Sequence, residues 1–577
     1  MLTKSSDVPV LVVGAGPAGL IMALSLAKNG VHCRIIDKGQ TFHTGSRGFG
    51  IQPRTFELFQ SLGMLDDFVG VVQPLPMMRA YKLPGGVEPV RTWRLYPPSP
   101  SWPDRPFAEQ KILSQAKLEA IFRKHLAEHN IEVELGTELI GIEHDEDGAT
   151  ATLLVSKADG IAAKETVRCE YLIGADGARG VSRKLMGMTF EGQTRDADGM
   201  VWADVTISNL STEYWHVWGQ PGKFSIMARP LSPTGNTFVV GITCQNYDAV
   251  GLANESSFKE FMSTETGRGD LEFGEFAWLS YFKPNMRVVN QFSEGRVFLV
   301  GDSAHVHSPT GGQGMNCSIA DSFNLAWKLV LAHKGLASPA LLPSYSAERL
   351  PVITQMLAAT NELYTHTVAR KTTVLAEDAA PDGSQDADDD TKTGWFRWRN
   401  GALGLFGVNY RYSPIVFDAR PSEAGQDEED MHARAYEGYI GNVRAGDRAP
   451  EAPGLFCASS TDTEVKETSI FDLLSPSRHT VLVFAADTSA RQELVLEALQ
   501  KYPEDFVQGF LITRQTPSGT QFRKAIVDQG GHAFRSYGYS TESDKLEIAV
   551  VRPDGVIGAM VSTIDGLHAY FRKVMSL

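Results

Sequence analysis

Cysteine is scarce. The 577-residue chain has five (Cys33, Cys169, Cys244, Cys317, Cys457), widely scattered and with no CxxC spacing. An odd, unclustered set argues against a disulfide framework or a zinc ribbon and fits a reducing compartment. Long apolar runs are missing too, since no stretch reaches the roughly 18 uninterrupted apolar residues of a membrane helix. The first apolar run, residues 8–13, passes straight into a glycine motif with no cleavage site, unlike a signal peptide. The ending Met575-Ser576-Leu577 does not match the peroxisomal pattern. The expectation is a cytoplasmic protein without a membrane partner. A basic face is also absent. Net charge is -15, and most of the excess sits in two acidic stretches, 377–390 and 423–430. That pattern describes surface loops and argues against a nucleic-acid partner, which needs clustered Lys and Arg.

What remains is an ordinary globular composition, 42% hydrophobic and 21% charged. Its length suggests about two to four domains, with cores large enough to need no staples. Residues 9–37 read strand, glycine turn, helix, strand. Val10 to Val13 is all apolar, as in a parallel strand buried on both faces. Leu20, Ala23, Leu24 and Ala27 fall on one helical stripe, and Gly30 follows where a helix-ending glycine belongs. The turn is Gly14-Ala15-Gly16-Pro17-Ala18-Gly19, with an acid, Asp37 (followed by Lys38), at the end of the next strand. Gly14 permits the tight turn, Gly16 lets a pyrophosphate approach the backbone, and Gly19 lets helix and strand pack closely. The helix N-terminus offers free N–H groups to the phosphates, and Asp37 can accept from a ribose diol. This is a dinucleotide site, and it does not by itself separate FAD from NAD.

Two further motifs do. Tyr171-Leu172-Ile173-Gly174-Ala175-Asp176-Gly177 precedes Ser182 and Arg183. Later, Val297 to Val300 leads into Gly301-Asp302-Ser303-Ala304-His305, then Pro309-Thr310-Gly311-Gly312-Gln313-Gly314-Met315-Asn316. A strand ending in Gly-Asp puts a carboxylate at the carboxyl edge of a sheet, where ligands bind in open α/β folds. The loop 309–316 presents N–H groups ahead of a helix, a place for an anion or an electron-rich carbonyl.

In this order the three motifs resemble those of the FAD-dependent aromatic hydroxylases, the para-hydroxybenzoate hydroxylase and phenol hydroxylase superfamily. Arg47, before Gln52-Pro53-Arg54, and Gln115, opening a helix over 114–128, match two further positions of the pattern. Residues 409–413 and 445–450 look like phenol hydroxylase elements, and 450–577 like the thioredoxin-like domain of that branch, here with Ala485-Ala486-Asp487 where a CxxC would stand. The resemblance implies an α/β fold: a Rossmann-like FAD-binding domain (1–190 and 285–370), an inserted β-sheet substrate domain (191–284), a connecting region with an acidic mobile loop (371–445), and a thioredoxin-like domain without redox function (446–577). It implies a homodimer. By it, Asp37 holds the adenosine ribose, Asp176 lies near FAD and the nicotinamide coenzyme, Asp302 binds the ribityl or pyrophosphate region, and Gly312 to Asn316 line the flavin ring, with Pro309 at the reacting edge. The implied reaction is hydroxylation of a phenol or hydroxybenzoate with NADPH or NADH and O2, through a flavin C4a-hydroperoxide.

The acid-base apparatus departs from the pattern. Phe49 stands where phenol hydroxylase has an Asp, and the family's substrate-side Arg has its counterpart in Arg229. A hairpin is predicted over 214–228, and Tyr214, His216 and Trp218 share one strand face opposite Trp215. Arg229, Tyr214 and His216 are therefore the candidates for orienting the substrate hydroxyl. His305 and His307 alternate on a strand with no third ligand near, which argues against a metal, and no G-x-S-x-G elbow supports a serine hydrolase. Two alternatives stay open: a same-fold flavoenzyme doing oxidative decarboxylation, Baeyer–Villiger or polyketide ring oxygenation, and a non-catalytic flavin-binding protein.

Overall fold

The computed structural model describes residues 5–45, 48–96, 102–156, 162–194, 199–220, 223–232, 234–244, 247–309, 311–367, 401–421, 428–457, 466–485, 490–515, 525–540 and 545–576. Arg47 and the acidic segment 376–394 lie outside the described residues. The chain opens with β1 (Ser5–Val13), the glycine turn, α1 (Pro17–Lys28) and β2 (Cys33–Ile36), then α2 (Pro53–Ser61), α3 (Gln115–Glu128) and β3 (Ala162–Gly174). The insertion follows: β4 (Gly199–Ser208), β5 (Tyr214–Gln220), β6 (Phe224–Pro230), β7 (Thr237–Cys244), α4 (Glu255–Thr266) and β8 (Glu272–Phe282). The chain then returns through β9 (Val297–Leu299), α5 (Gly314–His333) and α6 (Ser344–Thr367).

β1 is fully buried from Val10 to Val12 because it lies between β3 and β2, parallel to both, and β9 extends the parallel set beyond β3. This is the Rossmann-like arrangement, and both glycine loops leave the carboxyl ends of its strands. The inserted sheet runs β8–β4–β7–β6–β5 and continues through Met77–Tyr81 and Pro89–Trp93. Those last two strands come from the stretch 1–190, so the insertion borrows strands from the segment expected to be wholly cofactor domain. The reason is local: Met77 to Ala80 pair in parallel with Tyr214 to Val217 and lengthen the sheet. The predicted hairpin is β5 and β6, with His216 opposite Ala228.

The C-terminal part holds β10 (His479–Ala485), α7 (Ala490–Ala498), β11 (Val507–Thr513), β12 (Glu547–Val551), β13 (Ile557–Val561) and α8 (Ile564–Val574). β10 and β11 are parallel, and β12 and β13 follow antiparallel in the order β13–β12–β10–β11, a thioredoxin-like layer. Phe417–Asp418 pairs with β13, so this sheet also draws a strand from the expected connecting region.

Candidate active site

The glycine turn has the geometry its three roles demand. Gly14 has φ +105°, and a Cβ there would lie 2.3 Å from the Ala175 carbonyl oxygen. At Gly19 a Cβ would fall 1.9 Å from the Gly14 oxygen, so helix and strand meet only because it is absent. Around Gly16 nothing lies within 4 Å, an open cradle at the N-cap of α1. Pro17 begins the helix, where its missing N–H costs nothing, and neither a capping side chain nor a first-turn acid competes for the free N–H groups. Asp37 sits beside this turn, taking the Ala15 N–H (2.9 Å) and the Gly39 N–H (2.8 Å) on separate oxygens. A carboxylate accepts about four hydrogen bonds, so both oxygens keep capacity for a diol. Lys38 is exposed at its side.

Asp176 accepts from the Val181 and Ser182 N–H groups (2.7 and 2.9 Å) on one oxygen, capping a one-turn helix, while its other oxygen is buried with no hydrogen-bond partner. Gly301 has φ +62°, and a Cβ would meet Ser318 Oγ at 2.8 Å and Ala18 Cβ at 3.2 Å, so this turn lies tight against α1 and α5 with Asp302 exposed beyond it. The next loop bends through Gly311 (φ +99°) and Gly312 (φ +63°), with the Gly312 N–H donating to the Pro309 carbonyl (3.3 Å). Gly312 is exposed, and Gln313, buried, is the N-cap of α5, whose first turn has no acid and no side-chain cap. Asn316 is spent within the protein: it accepts from the Gln52 N–H and Thr55 Oγ1 (2.9 and 2.7 Å) and donates to the Gly50 and Gly312 carbonyls (2.8 and 2.9 Å). It acts as a rivet between two loops, which leaves the backbone of Gly312 to Met315 as the groups this turn could offer to a ligand. Gln115, the first residue of α3, accepts from the Gly48 N–H (3.2 Å) and donates to Glu119 (2.8 Å). Open cradles, uncapped helix starts and a carboxylate with spare capacity together fit FAD.

The inserted sheet presents one face to these loops. Trp278, Asp204, Val239 and Arg229 form one cross-strand row, and Trp215 follows on β5. The Arg229 guanidinium lies 3.9 Å from the centre of the Phe49 ring and 5.9 Å from that of Trp215, and Phe49 meets Trp215 edge-on. Phe49 follows Gly48, beside Met315, so the cofactor loop and the sheet meet here. Arg229 is 2% exposed and donates from Nη1 to the Pro230 carbonyl (3.1 Å), while Nε and Nη2 have no partner. Burial lowers it to about 9, opposed by Asp204, so it remains a cation at neutral pH. The Trp215 indole N–H is likewise buried and unpartnered.

The expectation for Tyr214 and His216 is corrected by which strand face meets the cofactor loops, the one that carries Trp215 and Arg229. Both lie on the opposite face of β5 from Trp215. His216 is 1% exposed, clustered with the Tyr81 and Trp218 rings, with Nδ1 at the Tyr81 hydroxyl (2.7 Å) and Nε2 at the Ser211 carbonyl (2.7 Å). Burial pushes it down to about 4, so it is a neutral core residue. The Tyr214 ring is covered by the Arg79 guanidinium at 3.4 Å. Among the described residues no cluster of three metal-ligating side chains occurs, and His305 and His307 diverge, to Asp321 (2.7 Å) and the Ser308 carbonyl (2.5 Å).

Asp321 was missed by sequence reasoning. It accepts from the Gly301 N–H (3.0 Å) and His305 on one oxygen and from Arg349 Nε (2.6 Å) on the other, holding the Gly301-Asp302 turn from behind. Burial alone would raise its carboxyl; Arg349 and His305 outweigh that and hold it below the usual range. A signal existed: Asp321, Asn324 and Lys328 form a polar stripe on a largely apolar helix.

The model of the FAD binding domain family matches residues 7–360. A flavin-dependent monooxygenase of Mycobacteroides abscessus is 29% identical over 518 residues, covering 88% of this chain and 95% of that protein. The pentachlorophenol 4-monooxygenase of Sphingobium chlorophenolicum is 27% identical over 572 residues, 96% of this chain and 94% of its own. Among solved structures, the flavin-dependent monooxygenase PieE in complex with FAD and substrate superposes with a TM-score of 0.77 over 98% of this chain and 99% of that one, at 23% identity, a likeness of fold.

Proposed function

The chain belongs to the FAD binding domain family, among flavin-dependent monooxygenases, and from that premise we propose that it hydroxylates a phenolic aromatic, taken up as its anion. Bound FAD supplies the redox chemistry, accepting a hydride from NADH or NADPH and delivering one atom of O2 to the ring. The chain's own residues bind and orient. The α1 N-terminus and Gly16 receive the pyrophosphate, Asp37 the ribose, Asp302 the ribityl region, and the backbone of Gly312 to Met315 the flavin ring, with Pro309 flanking the reacting edge.

The observation that carries the substrate reading is Arg229: a buried cation with two unpartnered donor nitrogens, walled by Phe49 and Trp215 on the sheet face that meets the cofactor loops. A phenol titrates near 10, so ionising it at pH 7 costs about 4 kcal/mol unless the site helps. A desolvated guanidinium supplies that help, and the two rings favour a flat apolar body. The whole-length likeness to a pentachlorophenol monooxygenase agrees with a phenolic substrate. The test is to purify the protein, record its visible spectrum, and follow NADH and NADPH oxidation in air with a panel of phenols. Flavin absorption with phenol-dependent oxidation and a product heavier by one oxygen supports the reading. A yellow protein indifferent to every phenol moves the assignment to a non-phenolic substrate of the same fold.

A further inference from the structure

The thioredoxin-like layer lacks the CxxC that would make it redox-active, yet it reaches deep into the cofactor domain with buried charge. Arg448 grips Glu57 of α2 with two hydrogen bonds (2.7 and 2.5 Å), and Arg54 of the same helix donates to the Asp554 and Gly555 carbonyls (3.0 and 3.2 Å). Arg552 grips Glu348 of α6 with two more (2.7 and 2.9 Å), and the same carboxylate takes Lys328 (2.8 Å) and Asn324 (2.6 Å) of α5. Arg552 also pairs with Asp554, to which Asn324 donates. Glu57, Glu348, Lys328 and Arg552 are at most 3% exposed. Apolar packing follows the same route, since Trp327 and Leu331 of α5 share one core with Val481 and Tyr570.

Two of the three helices held in this way, α2 and α5, are those whose N-termini carry the cofactor loops. α2 begins after Gln52, α5 begins at Gly314, and Asn316 binds those two starts to each other. One small cavity at the seam is lined by Arg54, Thr55 and Asn316 together with Arg448 and Asp554. The loop anchors and the C-terminal contacts are thus the walls of a single space. We propose that the thioredoxin-like layer is a positioning element of the FAD site, acting through Arg448 and Arg552 on α2 and on the α5–α6 pair. This rests on the reading of Gly312 to Met315 as flavin-contacting. Buried ion pairs are poor stabilisers compared with apolar packing but enforce one geometry, the use this arrangement suggests.

The experiment uses the full chain with Glu57→Gln and Arg448→Met combined, which removes both charges of that pair while Arg54 loses its Glu57 carboxylate and keeps its bonds to the Asp554 and Gly555 carbonyls, and Arg448→Lys alone as the milder variant. Three quantities are measured for each: the FAD dissociation constant of the apoprotein, the visible circular dichroism of bound flavin, and the melting temperature with and without FAD. The expected result is FAD affinity weakened by about tenfold, within the range usual for coupled sites, an altered flavin dichroism, and a smaller rise in melting temperature on adding FAD, with Arg448→Lys intermediate. Equal losses of melting temperature with and without FAD, with affinity within about twofold and an unchanged flavin spectrum, would reduce these pairs to structural glue and overturn the proposal. If the double variant does not fold, Arg448→Lys decides by the same criteria. A wild-type protein that takes up no FAD would overturn the cofactor reading first, and the proposal with it.

Discussion

Replacing Arg229 by Met separates a substrate-binding cation from a structural one, because the two roles predict opposite signs for stability. Arg229 is buried with Nε and Nη2 unpartnered and one bond, to the Pro230 carbonyl. Each unsatisfied buried donor costs about 1–3 kcal/mol, so a neutral side chain at this position relieves that cost at Nε and Nη2. Met keeps the apolar stem of the side chain as far as the position of Nε, and a thioether packs well beside aromatic rings such as Phe49 and Trp215. The melting temperature should therefore hold or rise, and FAD affinity should stay as it was. Binding of a phenolate loses one charge-assisted interaction of about 1.5–3 kcal/mol, so kcat/KM falls roughly 10- to 150-fold. The assays are a thermal melt, an FAD titration and substrate-dependent coenzyme oxidation. A clear fall in melting temperature with kcat/KM unchanged would refute the reasoning and make Arg229 a core residue.

Gly16→Ala and Gly19→Ala should behave differently although they stand three residues apart. A Cβ at Gly16 meets nothing within 4 Å, so that protein folds with a near-normal apo melting temperature but binds FAD more weakly; at Gly19 the Cβ would lie 1.9 Å from the Gly14 oxygen, and soluble, FAD-loaded protein should be lost. Burial drives His479 down to about 3, with Arg552 adding to it. The unfolded chain therefore takes the proton first, so stability is full above about pH 6.5 and is lost as the pH falls from there toward 3. At pH 5 the loss is about 2 kcal/mol, and His479→Phe, in a pocket already lined by Trp327, Tyr570 and Phe571, should flatten the melting temperature between pH 8 and pH 5; an unchanged slope would count against it. Phe49→Asp puts a carboxylate against the Arg229 guanidinium, and phenol-dependent coenzyme oxidation should fall while FAD binding persists; undiminished turnover would detach Arg229 from substrate.

What could be read from the sequence divides by the range of the interaction that determines it. The glycine turn was legible because its constraints are local in kind: a Cβ at Gly14 or Gly19 would fall on backbone at 2.3 or 1.9 Å, and around Gly16 the space is open. The hairpin and the two faces of its first strand were legible, since alternation sets the faces of a strand. Which of those faces meets the cofactor was not legible, because it depends on partners far along the chain. Trp215 pairs with Met78 and touches Phe49, and the Tyr81 hydroxyl claims His216 for the other side. A polar side chain on a hairpin looks like chemistry until its face is known, and here the polar face is the one stacked into a core. Burial hides the rest. Asp321 and Glu348 lie in segments that read as plain helix, and Arg448 meets Glu57 across 391 positions. The polar stripe Asp321, Asn324, Lys328 announced that something charged had to lie opposite it, because a buried Lys without a partner is not tolerated. Only the folded chain shows that the partners are Arg349 and Glu348 on the neighbouring helix and the Arg552–Asp554 turn of a layer with no redox cysteines. The supporting role proposed for that layer therefore rests on two observations: no CxxC stands after its first strand, and its buried pairs reach Glu57 and Glu348 in the cofactor domain.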